Sequence, residues 1–226
     1  MTPRQIATFF QRLRTEDPEP RTELVFENPF TLLVAVVLSA QSTDVGVNKA
    51  TKGLFAAAPT PKAMVALGEA SVIGHIEALG LFRNKAKNVV ALSRRLIEDH
   101  GGRVPRERAA LEALPGVGRK TANVVLNQIW GEPVVAVDTH VFRVANRTGL
   151  APGKTPEEVE RELMARVPKT YLKHCHHWLI RLGRYTCLAR KPACPRCPVE
   201  DLCAFKSKTT AQTEPPTVKR TRRRSA

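Results

Sequence analysis

The chain has 226 residues, of which 42% are hydrophobic and 25% charged, and its formal net charge at pH 7 is +15. That length allows one large domain or two small ones. The longest apolar run, residues 30–38, is far shorter than the roughly 20 residues of a membrane-spanning helix. The start of the chain has no signal-peptide core, so we expect a cytoplasmic protein with no membrane segment. Its positive charge predicts a polyanionic partner.

The first half of the chain has helical patterns with clear start signals. Apolar residues at helical spacing predict an N-terminal helix that Thr2 caps and Pro3 opens. A proline precedes the longest apolar run, so we expect a buried helix over residues 30–40. Thr60, which a proline follows, predicts the start of another short helix.

Later segments are also predicted to be helical. Asn84 is the expected cap of a helix with Ile97 among its apolar positions, and a Gly-Gly pair ends that helix. Thr155 and Glu158 have the spacing of a capping box. Only residues 134–137 resemble a strand, and that run is too short to form a sheet of its own.

A glycine-containing turn lies between two of the predicted helices. Residues 106–113 and 119–128 have helical patterns, and the sequence Leu-Pro-Gly-Val-Gly joins them at 114–118. Gly116 and Gly118 permit backbone conformations that other residues resist. They also let amide N–H groups approach a phosphate at the positive end of the second helix. Together with the net charge, this favours contact with a DNA backbone, without sequence reading, over an ordinary helix–helix turn.

Two polar residues near this turn are candidates for catalysis. Lys120 lies in the first turn of the second helix, where the helix dipole disfavours a cation. Its amine is either a nucleophile with a lowered pKa or a simple phosphate ligand, and spacing alone favours the phosphate ligand. Asp138 follows an apolar run and precedes a helix. That placement is typical of an N-cap and is compatible with a catalytic carboxylate.

Four cysteines lie within seventeen residues near the end of the chain, at the spacing C-x6-C-x2-C-x5-C. Four thiolates can hold structural zinc or an iron–sulfur cluster. Zinc ribbons usually contain two C-x2-C pairs, so the single pair here favours one cubane cluster with a structural role. The candidate ligands are Cys187, Cys194, Cys197 and Cys203. The fifth cysteine, Cys175, has histidines on both sides, and we expect a buried thiol beside partly exposed histidines.

The end of the chain is strongly basic. Residues 204–226 carry a net charge of +6, which leaves +9 on the first 203 residues. The segment 209–226 has almost no apolar content, so we expect it to be disordered. It either adds non-specific attraction to phosphates or is a solvated terminus with no function.

Three segments of the chain resemble those of bacterial endonuclease III. The matching segments are residues 111–122, residues 137–140 and the cysteine loop, residues 187–203. They occur in the right order with the right gaps. The similarity extends from about residue 3 to about residue 206, and it includes residues 38–44 and 80–85.

The resemblance implies an all-α, two-lobed helix-hairpin-helix DNA glycosylase fold with an iron–sulfur cluster loop. One domain would be a helical barrel over residues 22–132 that carries the hairpin. The other would combine residues 1–21 with 133–208 and hold a [4Fe-4S] cluster. The basic tail, 209–226, goes beyond the family pattern. We also expect the protein to be a monomer.

The resemblance further implies a bifunctional DNA glycosylase and AP lyase of base excision repair. It would excise oxidised pyrimidines and cleave the abasic strand by β-elimination. Lys120 would attack the sugar, and Asp138 would stabilise developing charge or move protons. The predicted partner is double-stranded DNA that contains a damaged pyrimidine or an abasic site. Predicted DNA-binding residues are Gln41, Leu81, Gly116, Val117, Gly118, Arg190 and Lys191.

Two alternatives remain. Monofunctional mismatch glycosylases of the same superfamily keep the aspartate but lack the lysine, so the presence of Lys120 favours the bifunctional enzyme. A non-catalytic helix-hairpin-helix module would bind DNA through the hairpin alone. The presence of both Lys120 and Asp138 favours an enzyme over such a module.

Overall fold

The computed structural model describes residues 1–210. Except for its first two residues, the predicted tail 209–226 therefore lies outside the described residues. Within residues 1–210 every regular element is helical, which confirms the predicted all-α class. The α-helices are α1 Pro3–Glu16, α2 Pro29–Leu38, α3 Asp44–Ala57, α4 Pro61–Ile76, α5 Phe82–His100, α6 Arg108–Glu112, α7 Arg119–Trp130, α8 Thr139–Thr148, α9 Pro156–Arg166 and α10 Lys169–Tyr185. Two 3₁₀ turns follow at Cys194–Arg196 and Glu200–Leu202.

The chain divides into two compact units. One is the continuous segment Arg21–Ala136, which contains α2 to α7. The other combines Met1–Pro20 with the chain from Val137 onward, and it contains α1 and α8 to α10. The lysine and aspartate predicted to be catalytic therefore belong to different units.

The core of the first unit is built around α2. Every residue of this helix after Pro29 is buried, as its uniformly apolar sequence predicts. Asn28 caps it, since its side chain accepts a hydrogen bond from the Thr31 amide at 2.9 Å. The helix ends at Leu38, two residues before the predicted end. The reason is that Gln41 adopts a left-handed conformation, with φ 54°, and the chain turns there.

Two other predicted helices of this unit differ in their bounds. The helix after Thr60 is longer than expected and has a break at Gly68, where φ is 77°. The helix assigned to an Asn84 cap begins at Phe82, because the left-handed residue Leu81 precedes its first turn. Ile97, one of the apolar positions in the predicted helix, is 39% exposed. That helix ends at a left-handed glycine, as predicted.

In the second unit, α1 packs against α10. Thr2 and Gln5 form a capping box at the start of α1, which confirms the predicted N-terminus. The ring of Phe10 lies 5.7 Å from that of Tyr171 and 6.1 Å from that of Trp178. Trp178 also donates its indole N–H to the carbonyl of Asp17, at 2.8 Å. These contacts join the first helix of the chain to the last.

Two sequence predictions in this unit were partly wrong. Thr155 accepts from the Glu158 amide, but the Glu158 carboxylate accepts from the Lys154 amide, so only half of the expected capping box forms. On α10, His176 and His177 are buried, although partly exposed histidines were expected. Burial lowers the pKa of His177 to about 3, so its ring is neutral.

Candidate functional site

The glycine turn of the first unit is held from both sides. Leu114 and Val117 are buried and anchor it to the core. The Val117 amide donates to the Leu114 carbonyl at 3.1 Å. Gly116 has φ 78°, and a Cβ atom there would lie 2.9 Å from the side-chain nitrogen of Asn88. A side chain at Gly116 is therefore excluded both by backbone conformation and by space.

The start of α7 carries positive charge and has no acidic cap. Gly118 is the N-cap and has no side chain to accept from the first amides. The first turn contains no acidic residue and begins with Arg119 and Lys120. Lys120 is half-buried and Gly118 is exposed. Amide N–H groups, the helix dipole and two cations together favour an anion at this end of the helix.

The other face of α7 holds the segment that the sequence assigned to a strand. Asn123 donates to the Val135 carbonyl at 3.2 Å, and Asn127 donates to the Glu132 carbonyl at 2.9 Å. Residues 134–137 form no strand within residues 1–210. The carbonyls of Val134 and Val135 accept from the amide side chains of Asn127 and Asn123 instead. Two buried asparagines four residues apart in an apolar helix were the sequence signal for this arrangement.

Asp138 is the N-cap of α8, as its position in the sequence predicts. Its Oδ1 atom accepts from the amides of His140 and Val141, at 2.9 and 2.8 Å. These two bonds hold the carboxylate at the start of the helix, and the side chain is half-buried. The cap does not use Oδ2. A rigidly held carboxylate with one oxygen outside the cap can still act on a ligand.

Two arginines further along α8 hold the cysteine loop. Arg143 donates to the carbonyls of Cys187 and Gly183, at 3.1 and 2.9 Å. Arg147 donates to the Leu188 carbonyl at 2.7 Å and lies 3.5 Å from the sulfur of Cys187. The helix that Asp138 caps is therefore also the support of the cysteine loop. The sequence prediction missed both arginines, and their four-residue spacing was the available signal.

The cysteine loop fits an iron–sulfur cluster better than a single metal ion. The four cysteines of the C-x6-C-x2-C-x5-C motif line one cavity. Yet among residues 1–210 no three His, Cys, Asp or Glu side chains are close enough to share one metal ion. A tetrahedral zinc site would bring four thiolates to one atom. In a cubane each thiolate binds its own iron, so wider spacing around a cavity fits.

Left-handed backbone conformations coincide with predicted DNA-binding residues. Among residues 1–210, the non-glycine residues with positive φ are Gln41 at 54°, Leu81 at 59° and Lys191 at 48°. Each conformation costs about 1–2 kcal/mol, and such strain clusters at functional sites. Leu81 is also 56% exposed, which is unfavourable for a leucine in the free protein.

The predicted DNA-binding residues are distributed over both units. Arg190 and Lys191 are exposed on the cysteine loop of the second unit. The other predicted DNA contacts belong to the first unit. There, the turns that carry Gln41 and Leu81 meet, since a Cβ on Gly80 would lie 3.8 Å from the Gln41 carbonyl oxygen. The structure thus brings together the two turns that carry these predicted DNA contacts.

Comparison with known families defines the class of this protein. Residues 34–169 match the family model of HhH-GPD superfamily base excision DNA repair proteins. Residues 187–203 match the iron-sulfur binding domain of endonuclease III. The chain is therefore a helix-hairpin-helix DNA glycosylase of base excision repair.

The relatives narrow this class to one family. The chain is 58% identical to endonuclease III of Escherichia coli (strain K12) over 197 residues, which are 87% of this chain and 93% of that protein. A trapped endonuclease III–DNA covalent intermediate superposes with a TM-score of 0.85 and 46% identity, covering 90% of this chain and 96% of that one. The structure of a thermostable thymine-DNA glycosylase superposes with a TM-score of 0.79 and 25% identity. The match covers 89% of this chain and 96% of that one. The chain belongs to the endonuclease III family.

Membership of the endonuclease III family confirms several predictions made from the sequence. The protein is a DNA-binding enzyme with the glycosylase and AP lyase activities of its family, and it carries a [4Fe-4S] cluster. No helix within residues 1–210 is long and apolar enough to cross a membrane.

Proposed function

We propose that this enzyme excises oxidised pyrimidines from double-stranded DNA and then cleaves the abasic strand by β-elimination. The observation that carries this proposal is Lys120, at the start of α7 directly after the glycine turn. A phosphate held by the turn would place the neighbouring sugar near this amine. One similar structure is a covalent endonuclease III–DNA intermediate, which supports a nucleophilic amine here. The setting is the bacterial cytoplasm, on the DNA of the nucleoid, and the enzyme acts as a monomer.

The first step is extrusion of the damaged nucleotide, because a base inside a duplex is out of reach. Gln41 fills the vacated space and Leu81 wedges between neighbouring bases. Inserted side chains offset part of the unstacking cost. The exposure of Leu81 supports this role, since burial in the base stack would remove its apolar surface from water.

The second step is displacement of the base. The neutral amine of Lys120 attacks C1′ of the sugar, and the bond to the base breaks with its electron pair leaving on the base. Asp138 stabilises the positive charge that develops on the sugar, or moves protons between amine, sugar and base. Sugar-ring opening gives an imine between Lys120 and C1′. Loss of a proton from C2′ then expels the 3′ phosphate, and water releases the lysine.

The cysteine loop binds the cluster and presents cations to the DNA backbone. We propose Cys187, Cys194, Cys197 and Cys203 as the four ligands, since they line one cavity. The cluster supplies a rigid cross-link of a loop that has only short 3₁₀ turns of its own. Arg190 and Lys191 then contact phosphates without reading bases.

The same two-part division applies to the domains of the chain. We propose that residues 22–132 form the helical barrel domain and that residues 1–21 with 133–208 form the cluster domain. The compact units Arg21–Ala136 and Met1–Pro20 with the chain from Val137 support this assignment.

The test of this function is reductive trapping by the wild-type protein. Borohydride reduces an imine to a stable amine, so a lyase becomes covalently attached to abasic-site duplex DNA. We expect trapping, together with excision from a panel of duplexes that contain oxidised or ring-saturated pyrimidines. A protein that excises thymine from mismatches without trapping would instead be a monofunctional glycosylase.

The two glycines of the turn provide a matched test of phosphate approach. Gly118→Ala meets no atom within 4 Å, and its φ of −99° suits alanine, so folding stability should stay within about 0.5 kcal/mol. If its amide contacts a phosphate, the added methyl should weaken binding to abasic duplex at least several-fold. Gly116→Ala should both destabilise the protein by about 1–3 kcal/mol and weaken binding. Thermal unfolding and fluorescence anisotropy measure the two effects, and unchanged affinity in Gly118→Ala would contradict backbone approach there.

The cluster ligands can be separated from the buried thiol by substitution. Replacing any one of the four loop cysteines with alanine should remove the broad visible absorption of the cluster and lower the iron and sulfide content. Cys175→Ala is the matched control, because Cys175 is buried on α10, outside the loop. It should keep iron, sulfide and absorption. Loss of iron from this control, or its retention in a loop variant, would overturn the ligand assignment.

A further inference from the structure

Lys85 is a buried lysine that the reaction described above does not use. It lies on α5 and is 5% exposed. Its Nζ atom donates to the hydroxyl of Ser42 at 2.7 Å. Burial lowers the pKa of Lys85, and no carboxylate within residues 1–210 offsets that effect. A lysine that is taken out of water without an opposite charge is unfavourable for stability, so its presence requires another reason.

The hydrogen bond joins the two strained turns of the first unit. Ser42 directly follows Gln41, whose φ is 54°. Leu81, whose φ is 59°, lies one helical turn before Lys85, and its carbonyl accepts from the Lys85 amide at 3.0 Å. Strained conformations persist only where surrounding contacts determine them. The contact from Lys85 to Ser42 is a side-chain hydrogen bond between these turns.

The same helix also contacts the glycine turn. Asn88 is three residues after Lys85, hence on the same side of α5. Its side chain fills the space beside Gly116, where an added Cβ would lie only 2.9 Å away. The first two turns of α5 therefore contact three elements, namely the turn with Gln41, the turn with Leu81 and the turn at 114–118.

We propose that Lys85, through Ser42, is a positioning residue that holds Gln41 and Leu81 in register so that both enter the duplex together. This inference rests on the proposed function, because it takes Gln41 and Leu81 as the inserting residues. It assigns no chemical step to Lys85. Without the bond each turn could still form, but the two would no longer be fixed relative to each other.

The test compares duplex with single-stranded substrate. Only a duplex requires coordinated insertion, since a base in a single strand is already free to leave the stack. Lys85→Met removes the positive charge and the hydrogen bond to Ser42 while keeping a side chain of similar length. We expect single-turnover excision from duplex to fall about tenfold or more, the scale of a lost hydrogen bond to a charged group. Excision from the single strand should change less than about twofold on the same scale.

Three further variants show whether the loss is specific to the Lys85–Ser42 bond. Ser42→Ala removes the acceptor from a half-buried position and should show the same loss confined to duplex, even if Lys85→Met folds poorly. The double variant should be no worse than Lys85→Met, because one bond is lost in both. Lys87→Met removes a charge from an exposed position on the same helix, and it controls for simple loss of a cation. It should leave the ratio of duplex to single-strand rates unchanged.

A spectroscopic readout reports insertion directly. A 2-aminopurine opposite the lesion brightens when side chains unstack it. We expect wild-type enzyme and Lys87→Met to give this increase, and Lys85→Met and Ser42→Ala to give a smaller one. Equal losses on both substrates, or no loss in either variant, would overturn the positioning role while leaving the proposed function intact. A wild-type protein that cleaves neither substrate would refute the proposed function, and the positioning role with it.

Discussion

Lys120→Ala should abolish the borohydride-trapped complex with abasic-site DNA and lower strand cleavage by at least about a thousandfold. In the proposed mechanism the imine forms on this amine, so the substitution removes the nucleophile itself. The measurement is a denaturing gel of wild-type and variant protein with labelled abasic duplex and borohydride. An unchanged trapped band would exclude Lys120 as the nucleophile.

A second substitution separates nucleophile from phosphate ligand, the two roles that sequence spacing left open. Lys120→Arg keeps a cation at the start of α7, but its guanidinium stays protonated and cannot attack carbon. A phosphate ligand would tolerate this change, whereas a nucleophile would not. We expect Lys120→Arg to bind abasic duplex and to form no trapped complex.

The neighbouring residue is the matched control. Arg119→Ala removes a cation from the same helix turn without touching the amine of Lys120. It should weaken binding and reduce the salt dependence of the affinity by about one ion, while the trapped complex still forms. Loss of trapping in Arg119→Ala at saturating protein concentration would show that the assay reports helix-end charge instead of chemistry.

Asp138→Asn should lower the rate of base excision by about a hundredfold or more without destabilising the protein. Asparagine caps a helix as well as aspartate does, so the bonds to the amides of His140 and Val141 can persist. What is lost is the negative charge that would stabilise the developing cation on the sugar. Single-turnover excision and thermal unfolding, measured together, separate the chemical effect from the structural one.

Asp138→Ala is the comparison that measures how much the helix cap contributes to stability. It removes charge and cap together, so it should be as slow as Asp138→Asn and in addition less stable by about 1 kcal/mol. An excision rate in Asp138→Asn equal to the wild-type rate would leave Asp138 with only its structural role.

Features formed by residues close together in sequence were predictable. The caps of α1 and α8, the glycine turn and the cysteine spacing each depend on contacts within a few residues. The local sequence shows what determines them physically: a residue with a side-chain oxygen before a helix, or a glycine where the chain must turn. The bounds of α2 and α5 were less accurate, because left-handed Gln41 and Leu81 carry no local signal for that conformation.

Contacts between distant residues could not be predicted in this way. The four-residue spacing of Arg143 and Arg147 puts both on one face of α8, but it does not indicate that this face bonds to the cysteine loop some forty residues later. Nothing near Asn88 indicates that it excludes a side chain at Gly116. Such contacts depend on which helix faces pack together, and one helix face has many possible partners.

The sequence by itself determined the family, the candidate nucleophile and the cluster motif, because each is a short pattern whose chemistry needs particular residue types at fixed spacing. The tertiary structure alone decided how these parts are held. It buried Lys85 against Ser42, and it placed two strained turns and the glycine turn along one helix. Packing decides this because burial and the distance between remote side chains are properties of the folded chain.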